Sequence, residues 1–138
     1  MKCWDPETLT AVYECKGHNL GVVSVVSDPS GSRVLHHAYL SLIIIGVASS
    51  SLDSHIRLWN VADGSLARDI DCGPGEVWSV AFSPDARFVA SGSQSGNVNV
   101  WETETGTKQM VLEDKGKFVL SVAYVSTVLE DPISPVIE

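Results

Sequence analysis

Short runs of β-branched, aromatic and alternating apolar residues, each closed by turn-forming residues, recur along most of the chain. They predict strands over residues 22–26, 47–51, 56–59 and 66–70, and again over 77–82, 88–93, 98–101 and 108–112. Turn chemistry falls between the runs: Asp28-Pro29-Ser30-Gly31, Ala62-Asp63-Gly64, Ser83-Pro84-Asp85, Ser95-Gly96-Asn97 and Glu104-Thr105-Gly106. No segment of helical length carries an apolar stripe at the helical period, so the predicted fold class is all-β.

The pattern also repeats at long range. Val77-Trp78-Ser79-Val80-Ala81-Phe82 and Val119-Leu120-Ser121-Val122-Ala123-Tyr124 align residue for residue, 42 positions apart. Trp59-Asn60 and Trp101-Glu102 stand at the same separation, as do Ala48-Ser49-Ser50-Ser51 and Ala90-Ser91-Gly92-Ser93. Toward the N-terminus the spacing widens to 55, from Trp4-Asp5 to Trp59-Asn60 and from Val22-Val23-Ser24-Val25 to Val77-Trp78-Ser79-Val80. The excess of 13 (55 less 42) can be located, because the wider spacing holds up to Arg33 against Phe88 and the narrower one from Val47 against Val89. Residues 34–46 (VLHHAYLSLIIIG) are therefore additional to the repeat. Four short strands in a unit of this length are the mark of a propeller blade, a sheet that buries its faces only by stacking on its neighbours.

Composition narrows the function. With 44% hydrophobic and 19% charged residues, the 138-residue chain is globular rather than disordered. A net charge of −8 leaves no basic stripe for phosphates, so neither direct nucleic-acid binding nor anionic-membrane binding is expected. Cys3, Cys15 and Cys72 are odd in number and form no CxxC pair, which suits the reducing cytoplasm or nucleus. Asp5, Pro6 and Glu7 interrupt the place where a signal peptide would carry its apolar run. The most apolar stretch, residues 39–48, is about half of the roughly 20 residues that a membrane-spanning helix needs.

Gly17-His18 opening one unit, residues 77–85 (VWSVAFSPD) opening the next, and the closing pairs Trp4-Asp5, Trp59-Asn60 and Trp101-Glu102 resemble the WD-repeat family. More narrowly, residues 17–25 (GHNLGVVSV), 48–60 (ASSSLDSHIRLWN), 81–85 (AFSPD) and 115–124 (KGKFVLSVAY) resemble the early blades of the WD-repeat subunits of the superkiller (Ski) complex. Gly73-Pro74 and Lys115-Gly116 stand where the next two Gly-His pairs would fall, an irregularity those subunits share.

The resemblance covers residues 2–124 apart from the insert. It implies a partial β-propeller: 1–16 as the last strands of one blade, 17–72 as a blade with the insert, 73–114 as a second blade, 115–124 as the first strand of another, and 125–138 as a divergent, disordered tail. By the same resemblance the function is a non-enzymatic scaffold whose partners are proteins: the Ski helicase and tetratricopeptide subunits of RNA decay, and subunits of the Paf complex of transcription elongation. A ring typically closes with four to eight blades, so about two blades with flanking fragments are expected to be marginally stable or aggregation-prone. Residues 34–46 and 125–138 both begin with Val, whose codons start with the GT of an intron donor site, so a nonfunctional product of a misspliced message is one alternative reading and a propeller-based enzyme the other.

His18, Asp53 and either Ser49 or Ser51 have the residue types of a hydrolase triad. The resemblance instead implies that His18, Asp53 and Trp59, with a second-strand hydroxyl, form a structural tetrad of mutually satisfied buried groups. Residues 92–96 (GSQSG) place Gln94 where a nucleophile elbow requires Ser. His36, His37, His55 and Cys72 lack the spacing of zinc ligands, and no glycine-rich phosphate loop is present, so no metal, cofactor or small-molecule substrate is expected. By resemblance the partner-facing positions are Val23 and Leu52 in one blade and Glu76, Trp78 and Gln94 in the next. Trp78 leads them, since tryptophan is enriched among interface hot spots, while its packing between neighbouring blades is the alternative.

Overall fold

A computed structural model describes residues 1–29, 45–113, 118–125 and 135–137. Among these residues there are strands and no helix. Two sheets are complete antiparallel meanders of four strands: β3 (Val22–Ser27), β4 (Ile45–Ser51), β5 (His55–Asn60) and β6 (Leu66–Asp71), then β7 (Val77–Phe82), β8 (Phe88–Ser93), β9 (Asn97–Glu102) and β10 (Lys108–Glu113). On one side stands the pair β1 (Lys2–Trp4) and β2 (Ala11–Glu14), and on the other β11 (Val122–Tyr124) paired with β12 (Pro135–Ile137).

The two four-stranded sheets are built to one register. Val47 faces Trp59 and Ser49 faces Arg57 in the first; Val89 faces Trp101 and Ser91 faces Asn99 in the second. Each innermost strand carries a bulge near its start, between Val22 and Ser24 and between Val77 and Ser79, which takes Val23 and Trp78 out of the ladder. Tight turns between strands rest on left-handed glycines, Gly64 at φ 72° and Gly106 at φ 74°, where a side chain would be strained.

The core lies between sheets rather than within one, since a single sheet has no interior. Ala48, Ile56, Leu58 and Ile70 of the first sheet meet Val77, Val80, Phe82, Val89 and Trp101 of the second. Ala81, Ala90, Val98 and Val100 meet Val119 and Val122 on the other side. Strand β7 is thus covered on both faces, with Val77 and Val80 only 1% and 5% exposed. Strand β3 has the same apolar sequence pattern but, among the described residues, packs mainly against β7, and Val22 and Val25 are 38% and 51% exposed.

Glycines mark the closest approaches. At Gly64 a Cβ would fall 2.3 Å from the Tyr13 ring, so β2 packs directly on the β5–β6 turn. At Gly92 it would fall 2.7 Å from Val119 Cγ1, where the segment entering β11 crosses β8.

Two boundaries differ from the sequence reading. Ile45 and Gly46, assigned to the insert, belong to β4: Ile45 pairs with Asn60, and the Gly46 carbonyl accepts the Asp28 N–H at 2.9 Å. Gly46 occupies a bulge where a Cβ would meet Val61 at 2.7 Å, so the end of the insert takes over the opening of the second strand. Pro135–Ile137, expected within a disordered tail, pairs with β11, with proline at the strand's first position where it removes no ladder bond from the interior. The remainder of the insert and most of the tail lie outside the described residues.

Candidate functional site

The polar centre of the first blade lies where the loop before β3, the end of β4 and the start of β5 converge. Strand alternation puts His55, Arg57 and Trp59 on one face of β5, and β4 opposite them supplies Ser49. The indole N–H of Trp59 donates to Ser49 Oγ at 2.8 Å, and His18 Nε2 lies 2.8 Å from the same oxygen. His18 Nδ1 is 3.1 and 3.2 Å from the two Asp53 oxygens. An indole N–H only donates, so Ser49 Oγ accepts it, while His18 Nδ1 is reached by Arg57 Nη1 as well as by Asp53.

Asp53 is saturated from further directions. It accepts the Asn19 N–H at 2.8 Å, the His55 N–H at 3.2 Å and Arg57 Nη1 at 2.9 Å. Burial alone would raise its pKa, but the Asn19 N–H, the Arg57 guanidinium and His18 outweigh it and hold the carboxyl well below the usual range. For His18 burial is the larger effect and, with the positive charge of Arg57, lowers its pKa despite the Asp53 bond, so the imidazole is neutral at pH 7. Arg57 Nη2 continues to Asp69 Oδ2 at 3.2 Å, and Asp69 holds His55 Nδ1 at 2.7 Å.

Sequence reasoning did not single out Arg57. Its signal was present: a cation inside the apolar run His55-Ile56-Arg57-Leu58-Trp59, spaced by two from the tetrad tryptophan. Only 4% of Arg57 is exposed, and a buried guanidinium requires carboxylate partners that sequence spacing alone does not name.

This arrangement does not make a nucleophile of Ser49. Its hydroxyl is fully buried and engaged on both sides, and the His18 and Asp53 side chains are each only 6% exposed. Ser51 Oγ donates instead to the Leu20 carbonyl at 3.2 Å. Among the described residues no group of three or more His, Cys, Asp or Glu gathers as a metal would require. His55 is engaged with Asp69, Cys72 lies apart from it on the neighbouring strand's end, and His36 and His37 lie outside the described residues.

The second blade keeps half of the network. Trp101 donates to Ser91 Oγ at 2.9 Å, but Ser91 turns its hydrogen to the Asn99 carbonyl at 3.4 Å. Ser95 stands in the place of Asp53 and Asn99 in that of Arg57, while Gly73-Pro74 supplies no imidazole. A cavity of about 180 Å3 occupies this corner.

The five candidate partner-facing residues lie at the corresponding end of the two blades. Leu52 donates its N–H to the Gly21 carbonyl and Gln94 to that of Glu76, each at 3.1 Å, so the turn after the second strand is tied to the entry of the first. Val23 and Trp78 are the bulge residues beside those ties. Trp78 is half-buried, belongs to neither apolar cluster, and has a buried Nε1 with no hydrogen-bond partner.

A sequence profile described as WD domain, G-beta repeat, matches residues 9–60 and 65–102. The chain belongs to the WD-repeat family. WD-repeat proteins typically act as scaffolds for interactions between proteins. The chain is 39% identical over 123 residues to the WD repeat-containing protein SL1-17 of Schistosoma mansoni, covering 89% of this chain and 36% of that protein. It is 30% identical over 138 residues to the WD repeat-containing protein VIP3 of Arabidopsis thaliana, covering 90% and 39% respectively. The crystal structure of RRP9 WD40 repeats superposes with a TM-score of 0.64 at 23% identity over 79% of this chain and 31% of that one, a likeness of fold. The chain thus spans about a third of the length of these WD-repeat proteins.

Proposed function

We propose that this WD-repeat chain contributes to a non-enzymatic scaffold, with the rim formed by Val23, Leu52, Glu76, Trp78 and Gln94 as its partner-facing surface. The observation that carries the reading is the contrast between the two groups of polar residues. The tetrad side chains satisfy one another inside the first blade, whereas Trp78, partly exposed at its bulge beside the exposed Gln94, belongs to neither apolar cluster. A partly exposed tryptophan at a bulge has the large apolar area that interface hot spots use.

The resemblance at residues 17–25, 48–60 and 115–124 supports Ski-type partners, the helicase and tetratricopeptide subunits of an RNA-decay assembly, with subunits of the Paf complex as the second set. The cytoplasm and nucleus are the corresponding compartments. With a net charge of −8, any link to RNA runs through those proteins. Affinity purification of the tagged chain from cells tests the reading: recovery of those subunits, lost with Trp78→Ala, is expected. Recovery of none of them from a soluble, folded chain would overturn it.

A further inference from the structure

We propose that the cavity in the second blade, between Pro74, Ser95, Asn99 and Lys108, is a binding site for a carboxylate. The first blade shows what this position is shaped to hold. There the side chain of Asp53 sits between Arg57 of the third strand and the N–H of Asn19 in the entry loop, and His18 closes over it. In the second blade the carboxylate is gone, since Ser95 is in its place, and so is the imidazole. The donors remain. Asn99, at the position of Arg57, is 7% exposed and lines the cavity, and among the described residues no hydrogen bond reaches its side-chain amide. Ser93 Oγ donates to the Asn97 carbonyl at 3.0 Å and so accepts the Ser95 hydroxyl at 2.7 Å, which makes the exposed Ser95 hydroxyl the one that a guest could draw away.

Charge favours an anion over a neutral guest. The Lys108 ammonium lines the cavity and rests 4.8 Å above the Trp101 ring, held there rather than dispersed in solvent. Neither Asp71, which accepts the Gly73 N–H at 2.9 Å, nor Asp69, paired with His55 and Arg57, lines the cavity. Cys72 also lines the space, but burial pushes its thiol up to about 12, so it adds no thiolate. A volume of about 180 Å3 corresponds to roughly six waters, enough for one carboxylate and its nearest carbons. Such a group belongs either to a small free acid or to an Asp or Glu side chain of a protein partner.

Titration of the full 15N-labelled chain by NMR tests the site. Acetate should give saturable shifts at the Asn99 side-chain amide and the Ser95 N–H, and acetamide, its neutral isostere, should not. Lys108→Met should weaken acetate at least fivefold. Ser95→Asp should abolish the response, because the chain then supplies the carboxylate itself, and should raise the melting temperature. A capped Gly-Asp-Gly peptide that binds as well as acetate or better, with capped Gly-Asn-Gly silent, assigns the occupant to a partner's side chain; binding of acetate alone assigns a free acid. An equal response to acetamide, or an acetate response unchanged in both variants, overturns the proposal.

Discussion

Trp59 and Trp101 stand at the same place in successive blades, and each donates its indole N–H to the hydroxyl of a serine on the adjacent strand, at 2.8 and 2.9 Å. What lies beyond the serine differs. Ser49 leads on to His18 and a carboxylate, whereas Ser91 ends the chain of bonds on a backbone carbonyl. Removing the two hydroxyls should therefore have unequal consequences. Ser91→Ala leaves one buried donor without a partner, at a cost of about 1–3 kcal/mol. Ser49→Ala strands both Trp59 and His18 and should lower the urea midpoint clearly more than Ser91→Ala does. Equal midpoints in the two variants would mean that the His18 branch contributes nothing to stability.

The same network sets a dependence on pH. The folded pKa of His18 lies below its ordinary value of 6.5, so the unfolded chain takes up a proton there before the folded one does. Stability contributed by the neutral imidazole is complete above about pH 6.5 and is lost as pH falls toward the folded pKa. Asp53 acts in the same direction at lower pH, since its pKa is held below 3.8. The melting temperature should fall from pH 7.5 to pH 5, and His18→Gln should flatten that decline. A profile that stays flat in the parent chain would contradict the buried, neutral state of His18.

Arg57 couples two carboxylates, one buried and one half-exposed. Breaking a buried ion pair by removing one member typically costs about 3–5 kcal/mol, because the remaining charge is left uncompensated. Arg57→Ala should approach that loss through Asp53, with a smaller share from the more solvated Asp69. Pairing it with Asp53→Asn should recover part of the loss, which a double-mutant cycle from chemical denaturation would measure. Additive effects would show that the two residues do not interact energetically.

At Gly92 the constraint is steric alone, because its backbone is not left-handed. An added Cβ would lie 2.7 Å from Val119 Cγ1 and 2.8 Å from the Val119 carbonyl oxygen. Gly92→Ala should cost about 1–3 kcal/mol, typical of overpacking. The loss should appear first as faster amide exchange at Val119 and Val122, which bond to Ser93 and Ser79 respectively. Unchanged exchange at those two amides would place the strain elsewhere.

How much of this was legible in advance follows the physics of each feature. The strands of both complete blades were legible because period-two burial and turn residues are local signals, and the 42-residue repeat from Val77 to Val119 ordered them. The corner beside Asn99 was not, because a cavity is defined by side chains that are missing, and Ser95 gives no sign of standing where Asp53 does until the two sheets are superposed by register. The strand entry at Ile45 was hidden for a related reason. An apolar insert ending in Ile44-Ile45-Gly46 has the same pattern as the strand it joins, so pattern alone cannot divide them. Arg57 fell between the two cases, visible as an anomaly in β5 but without a partner until β6 brought Asp69 alongside.

Trp78 separates stability from binding. Its ring lies outside both apolar clusters, and its Nε1 has no partner, so truncation removes little that the fold relies on. Trp78→Ala should change the denaturation midpoint less than Ser49→Ala does. A tryptophan at the centre of an interface instead typically contributes about 2 kcal/mol or more to binding, or roughly thirtyfold in affinity. Capture of protein partners should therefore drop by at least that factor while the circular dichroism spectrum is unchanged. Trp78→Phe divides the effect further, since it keeps most of the apolar area and removes the donor. The indole nitrogen is buried, so area governs binding and Phe should bind nearly as well as the parent chain. Undiminished capture by Trp78→Ala would remove this residue from the partner-facing surface and shift attention to Leu52 and Gln94 beside it.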